Sequence, residues 1–394
     1  MDTDVSFMER AISLALRSRP FAGINPPVGA VLVREGAIIG QGFHNGPGTP
    51  HAEAAALLDA RARFPEAGRP FTGATLYCTL EPCCHRGAGK RTPPCTDAII
   101  AAGISRVVFA SRDPNPSVGG RGAALLREAG VRVEAGLLAD RADELIEAFS
   151  VSIRFHRPFT RLKWAQSLDG RLACRGGASR WITNSEARVS AHGLRALHDA
   201  VMIGAGTLRT DDPRLTVRDV PVEPGLDLRQ PLRVVLAGKA PLPLDARLFS
   251  PCLRDGTIVL AASSSPALGQ CRSAGIRVRE VAAADDGLPD LASSLRALYD
   301  EGIGSVLVEG GAKLLTSLIL RDLWDAVTVF IAPLILGQGI EAVGDLGIGA
   351  PDSGIKLENA NVQVRDGYIR LDARNTGIPT AAAAAVKGEP CLQD

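Results

Sequence analysis

The stretch TGATLYCTLEPCCHRGAGKRTPPCTDAIIAAG, residues 72–103, decides the fold of the first half of the chain. Its opening, rich in β-branched and apolar residues, reads as a strand that runs into a cysteine cluster. Pro93-Pro94 then precede an apolar run that stops at Gly103, the signature of a helix. Four of the eight cysteines fall between Cys78 and Cys95. Clustering of that kind favours metal binding or catalysis over disulfide bridges. Cys174, Cys252, Cys271 and Cys391 are scattered and read as ordinary thiols.

Working outward, HAEAAALLDARARF (51–64) is Ala- and Leu-rich and reads as a helix. Upstream, VGAVLVREGAIIGQGFH reads as two strands around an Arg34-Glu35-Gly36 turn, and DVSFMERAISLALRS has helical apolar spacing. Downstream, ISRVVFAS reads as a strand, GGRGAALLREAG as a helix, VRVEAGLL as a strand, and ADRADELIEAFSVSIRF as one charged helix. Alternation of this kind specifies an α/β layer structure. A first domain is expected over 1–150. A second α/β pattern begins at PFTRLKWAQSLDGRLA and fills 151–375. There HDAVMIGAGTLRTDDPRLTVR reads as strand, Gly-rich turn and polar loop, and IGSVLVEGGAKLLTSLILRDL as strand, Gly310-Gly311 and helix. Residues 376–394, small-residue rich, are expected to be a disordered tail.

Composition excludes several classes. Over 394 residues the formal net charge is +1, with 46% hydrophobic, 22% charged and 4% aromatic residues. Such a balance suits two globular cores and gives no bulk attraction to nucleic acid or to a membrane surface. No run of 18 apolar residues appears, and the N-terminus lacks the basic start of a secretory signal. A cytoplasmic protein is expected.

His51, Cys83 and Cys95 can supply three N and S ligands to zinc, leaving a fourth position for water. Cys95, at a helix start, sits where a thiolate is favoured. Glu53, two residues beyond His51, can reach the activated water and pass its proton to a leaving amine, the H-x-E then P-C pattern of zinc deaminases. Cys84, adjacent to Cys83, is the rival ligand; either it or His85 could instead supply the fourth ligand of a closed structural site. Cys78 should pack inside the sheet.

Taken together, NPPVGAVLV, HAE, TLYCTLEPCCHRGAGKRTPPC and DPNP closely resemble the deaminase half of the bacterial bifunctional riboflavin-biosynthesis deaminase/reductase family. KWAQSLDGRLA, SRWIT, LRALHDAVMIGAGTLRTDDPRLTVR and VLVEGGAKLL resemble its reductase half, so that the likeness spans residues 5–370. The resemblance implies a cytidine-deaminase-like α/β/α domain followed by a dihydrofolate-reductase-like α/β domain. It implies hydrolysis of the 2-amino group of a phosphoribosylated diaminopyrimidine, then NADPH-dependent reduction of the ribosyl group. It also implies Zn2+ on His51, Cys83 and Cys95, Glu53 as proton shuttle, and Asn25, His44, His85, Asp113 and Asn115 lining the pocket. A homo-oligomer, dimer or tetramer, formed through the reductase domain is implied as well.

In the second half, Gly204 and Gly206 form only a fragment of a dinucleotide fingerprint, but a second Gly turn at 310–311 strengthens a nucleotide reading. By resemblance Ala165, Trp181, Thr207, Asp211 and the turn of Gly311, Ala312, Lys313, Leu314, Leu315, Thr316 and Ser317 contact NADP. Ser179, Arg195, Leu215, Arg218 and Glu309 match substrate positions. Arginines suit a sugar phosphate, and Lys163 could orient or protonate the opened sugar. Trp181 reads either as a stacking platform or as core. Two departures stand out. The loop between Cys83 and Cys95 is about three residues longer than the family's CSHHGRTPPC-like pattern, a change that costs loop closure little; its Lys90 or Arg91 is the candidate contact for substrate phosphate. Ala237-Gly238 replaces an Asp-Ser-like pair, removing a side-chain hydroxyl. Two readings compete with the bifunctional enzyme: an RNA- or nucleoside-editing deaminase with an appended binding module, disfavoured by the charge and the few aromatics, and a non-enzymatic zinc-stabilised interaction protein, in which Glu53 would have no purpose.

Overall fold

The computed structural model describes residues 3–65, 71–85, 93–116, 118–179, 181–221 and 229–376. The chain divides into two compact units at Phe155/His156. Lys90, Arg91, Cys391 and all of the expected tail except Thr376 lie outside the described residues.

The first unit runs α1 (Asp4–Ser18), β1 (Gly29–Arg34), β2 (Ala37–Phe43), α2 (Ala52–Arg63), β3 (Thr75–Leu80), α3 (Cys95–Ala102), β4 (Arg106–Ser111), α4 (Arg121–Glu128), β5 (Arg132–Ala135), α5 (Ala139–Leu145) and α6 (Glu147–Phe155). Its five strands are ordered β2-β1-β3-β4-β5. β1 is antiparallel to β2 and β3, while β3, β4 and β5 are parallel. Glu35 and Gly36, both at positive φ, make the tight turn between β1 and β2. Gly103 ends α3 in the left-handed region, as read from the sequence. The charged segment expected as one helix is two, α5 and α6, offset at Ile146, which is fully buried. Strand β5 is shorter than its apolar run because Gly136 and Leu138 turn the chain with positive φ.

Two glycines of β2 set how closely α2 approaches the sheet. A Cβ on Gly40 would lie 2.3 Å from the Ala56 carbonyl, and one on Gly42 would lie 2.6 Å from the Ala56 amide. Opposite them α2 presents Ala52, Ala56 and Ala60, all fully buried. Small residues on both sides let helix and strand backbones meet, and this contact fixes the N-terminus of α2, where His51 and Glu53 sit.

The second unit runs β6 (Phe159–Ser167), β7 (Arg171–Cys174), α7 (Ser185–Ala196), β8 (Ala200–Gly204), α8 (Ala205–Asp211), β9 (Leu232–Leu236), β10 (Thr257–Ala262), α9 (Pro266–Ser273), β11 (Val278–Val281), α10 (Leu291–Asp300), β12 (Ser305–Val308), α11 (Ala312–Leu320), β13 (Ala326–Ala332), β14 (Gly339–Glu341), β15 (Leu357–Arg365) and β16 (Tyr368–Asn375). The main sheet is ordered β11-β10-β9-β8-β12-β6-β13-β16-β15. All neighbours are parallel up to β13, and the hairpin β15-β16 closes the edge antiparallel. Alternate residues of the parallel strands feed two separate cores, as a period of two requires. Val201, Ile203, Val235 and Leu307 join one; Ala200, Met202, Val234 and Val306 join the other. The Gly-rich segment after β8, read as a turn and loop, is instead helix α8, with Gly204 as its N-cap.

Candidate active sites of the two units

In the first unit three elements converge at one end of the sheet. His51 is the N-cap of α2, Cys83 follows β3 after the Glu81-Pro82 step, and Cys95 is the first residue of α3. His51 Nδ1 lies 3.6 Å from Cys83 Sγ and 3.3 Å from Cys95 Sγ. All three ligand atoms lie within 4.8 Å of one another, forming the one His/Cys/Asp/Glu group of this kind among the described residues. A sulfur and a nitrogen sharing a tetrahedral zinc would stand roughly 3.5 Å apart, so the donor set fits the ion as spaced. Three ligands leave the fourth position open. The Cys95 amide donates to Cys83 Sγ at 3.5 Å, a contact that favours the thiolate. Cys84 stands outside this group, and Cys78 is buried in β3.

Glu53 is 4% exposed. Burial pushes its carboxyl above the usual range, Cys83 pushes the same way, and the opposing pull of His51 is smaller. His44 is oriented by Asn25 Nδ2 at 3.2 Å from its Nε2 and by the Pro50 carbonyl at 3.3 Å from its Nδ1. Its ring stands edge-on to His51 with centroids 5.5 Å apart, and burial keeps its pKa below that of a free imidazole. Asp113, also desolvated, is pushed up to about 6. Its carboxylate accepts the Asn115 amide at 2.8 Å. His85 is half-buried directly after Cys84.

Glu81 was not singled out in the sequence. It is buried, and its carboxylate accepts the amides of Gly120 at 2.9 Å and Ala123 at 3.0 Å. It therefore ties the Pro82-Cys83 step to the loop bearing Asp113 and Asn115. Its position immediately before Pro82-Cys83 was the available signal.

In the second unit the polar centre is Glu309, just past β12. Arg195 of α7 grips it with two nitrogens, Nη2 donating at 3.0 Å, and Lys163 Nζ of β6 lies 3.4 Å away. Burial alone would raise the Glu309 pKa, but the charges of Arg195 and Lys163 outweigh it and hold the carboxyl far below its usual range. Arg195 Nη1 also donates to the Thr216 carbonyl at 2.9 Å, and Arg218 Nη1 to Thr216 Oγ1 at 2.6 Å. Between these arginines Leu215 is buried with φ +51, a left-handed conformation unusual for leucine.

The two Gly segments meet: the Gly311 amide at the N-cap of α11 donates to Thr207 Oγ1 of α8 at 3.1 Å. Ala312–Ser317 form the first turns of α11, with Lys313 exposed and Leu314 and Leu315 buried. Ala165 lies on β6 opposite Phe330 of β13, and Asp211 ends α8. Trp181 is 71% exposed and stacks under the Arg188 guanidinium at 4.4 Å, so it is not core. Ser179, two residues before it, is half-buried. At Ala237-Gly238 the Gly238 carbonyl accepts the Ser265 hydroxyl at 2.9 Å. His192, which no sequence motif marks, contacts both Thr216 and Arg218.

Residues 1–111 match the family model described as the cytidine and deoxycytidylate deaminase zinc-binding region, and residues 158–369 match the RibD C-terminal domain. The riboflavin biosynthesis protein RibD of Aquifex aeolicus is 41% identical over 362 residues, covering 92% of this chain and 96% of its own length. That of Escherichia coli is 38% identical, covering 85% of this chain and 89% of its own. The solved structure of Acinetobacter baumannii RibD, form 1, is similar with a TM-score of 0.82 at 35% identity, covering 95% and 99% of the two chains. A diaminohydroxyphosphoribosylaminopyrimidine deaminase/5-amino-6-(5-phosphoribosylamino)uracil reductase from Thermotoga maritima gives 0.76 at 36% identity, covering 94% and 98%. The chain belongs to the RibD family of riboflavin biosynthesis proteins.

Proposed function

We propose that the two units catalyse successive steps on one phosphorylated pyrimidine. The first converts 2,5-diamino-6-(5-phosphoribosylamino)pyrimidin-4(3H)-one and water to 5-amino-6-(5-phosphoribosylamino)uracil and ammonia. The second reduces the ribosyl group of that product to ribityl with NADPH. The observation that carries the reading is the convergence of His51, Cys83 and Cys95 beside buried Glu53, in one chain with the Lys163–Glu309–Arg195 cluster.

His51, Cys83 and Cys95 hold zinc in the deaminase unit. Zinc bound there supplies Lewis acidity that makes water nucleophilic near neutral pH. Glu53, buried beside the ligands, takes the proton of the attacking water. It returns that proton to the amino group as the C2–N bond breaks and ammonia leaves. Asn25, His44, His85, Asp113 and Asn115 orient the ring.

In the reductase unit Ala165, Trp181, Thr207, Asp211 and the Gly311–Ser317 turn hold NADPH. NADPH bound there supplies the hydride for C1′ of the ribosyl group. Lys163 Nζ donates a proton to the ring oxygen as the C1′–O4′ bond breaks, and Glu309 keeps the ammonium in place. Ser179, Arg195, Leu215, Arg218 and Glu309 hold the substrate, with Arg218 at its phosphate.

We place the protein in the cytoplasm, where thiolate ligands stay reduced. No described helix is long and apolar enough to cross a membrane. A homo-oligomer through the reductase unit is supported by edge strand β15, where Val362 and Val364 are exposed, the latter by 77%. The test is a two-stage assay on zinc-loaded protein. Ammonia is expected from the diaminopyrimidine without NADPH, and NADPH oxidation only after NADPH is added. Absence of both would overturn the reading.

A further inference from the structure

His192 of α7 is 8% exposed and lies between the two arginines of the reductase unit. Its Nδ1 is 3.0 Å from the Thr216 carbonyl, an acceptor only, so Nδ1 carries the hydrogen and donates. The same carbonyl accepts Arg195 Nη1 at 2.9 Å, which explains why that nitrogen also passes 3.4 Å from Nδ1. With Nδ1 protonated, Nε2 of the neutral ring offers a lone pair, and Arg218 Nη2 lies 3.3 Å from it. The other terminal nitrogen of Arg218 is taken by Thr216 Oγ1. The guanidinium is thus held by two acceptors among the described residues.

We propose that His192 is a positioning residue for the reductase: locked as the Nδ1–H tautomer by the Thr216 carbonyl, it presents Nε2 as the acceptor that aims Arg218 at the substrate phosphate. This rests on Arg218 being the phosphate contact, as read above. The charges facing the imidazole are Arg195 on its own helix, Arg218 on the segment after α8, and Glu309 past β12. Burial, then Arg195 and Arg218, lowers its pKa, against the Thr216 carbonyl and Glu309. The ring is therefore neutral at pH 7, and acid would replace the acceptor with a third cation.

His192→Asn keeps a donor near Nδ1 and removes the Nε2 acceptor; His192→Gln can place an amide oxygen near the lost Nε2. Steady-state reduction of 5-amino-6-(5-phosphoribosylamino)uracil is compared with that of its phosphate-free nucleoside. His192→Asn is expected to raise KM for the phosphorylated substrate about tenfold, the loss of one bond to a charged group. The KM for NADPH, kcat and the KM for the nucleoside should hold, and His192→Gln should restore most of the loss. In the parent enzyme that KM should climb as pH falls below the ordinary imidazole range, and in His192→Asn it should not. If His192→Asn leaves this KM unchanged while Arg218→Ala raises it, the proposal is wrong and the Arg218 assignment stands. If Arg218→Ala has no effect, both fall. Equal losses on both substrates, unrescued by Gln, would mean a purely structural histidine and would also overturn it.

Discussion

Glu53 in the first unit and Glu309 in the second are both recessed glutamates, the residue of one 4% exposed and the side chain of the other 11%. Their carboxyls are shifted in opposite directions. Glu53 has a buried thiol pair for neighbours, and desolvation raises it. Glu309 sits between a guanidinium and an ammonium, whose charges overcome the same desolvation and lower it. Burial by itself therefore does not assign a role to a carboxylate; the charges around it do. A raised carboxyl suits proton transfer, and a permanently ionised one suits holding two cations in place.

The largest effect that would break this contrast is at Glu53. Glu53→Gln should lower ammonia release by about 10³-fold or more, the scale of lost general acid–base catalysis. Zinc content by elemental analysis, and NADPH oxidation on supplied deaminated intermediate, should stay at parent levels. Next, Glu309→Gln strands two cations beside a neutral amide. It should destabilise the reductase unit by about 3–5 kcal/mol and abolish reduction, read by urea melts and NADPH oxidation. Ammonia release should persist. Gly42→Ala tests the packing that places Glu53: its methyl group meets the Ala56 amide at 2.6 Å. A loss of about 1–3 kcal/mol is expected from overpacking, together with a fall in deaminase kcat and none in reductase kcat.

The smallest effect lies away from both sites. Asp4, half-exposed, is held at about 2 against an ordinary 3.8, first by its hydrogen bond from Arg106 and then by that from Tyr77. A lowered folded-state pKa gives stability that is full above 3.8 and lost as pH falls toward 2. After solvent screening it should amount to about 0.5 kcal/mol. Thermal melts of Asp4→Asn should lose that increment at pH 6 and match the parent near pH 2.

The periodicity around residues 72–103 and the Gly-Gly segment were enough to place most elements, because buried parallel strands and Ala-rich helices follow local rules. The zinc triad was legible too, since the sequence confines its ligands to a helix cap, a strand end and a helix start. Less legible was whatever depends on distant backbone groups. Glu81 earns attention only once its carboxylate is seen accepting amides thirty and more residues away. His192 reads as an unremarkable helical residue until the carbonyl of Thr216, 24 residues on, fixes its tautomer. Strand β15 is hard to read from the sequence because it is largely exposed and lacks the apolar alternation that marks a half-buried strand. The segment after β8 reads as a turn because Gly204 and Gly206 suggest one, whereas only Gly204 lies outside the helix, as its cap.

The most direct test of two electrostatically distinct and independent sites is removal of zinc from the parent protein, with both half-reactions followed in one preparation. Ammonia release from the diaminopyrimidine should disappear and return with one zinc per chain. NADPH oxidation on supplied 5-amino-6-(5-phosphoribosylamino)uracil should be unchanged throughout. Ammonia release that survives complete zinc removal, or a reductase that fails with it, would contradict the account.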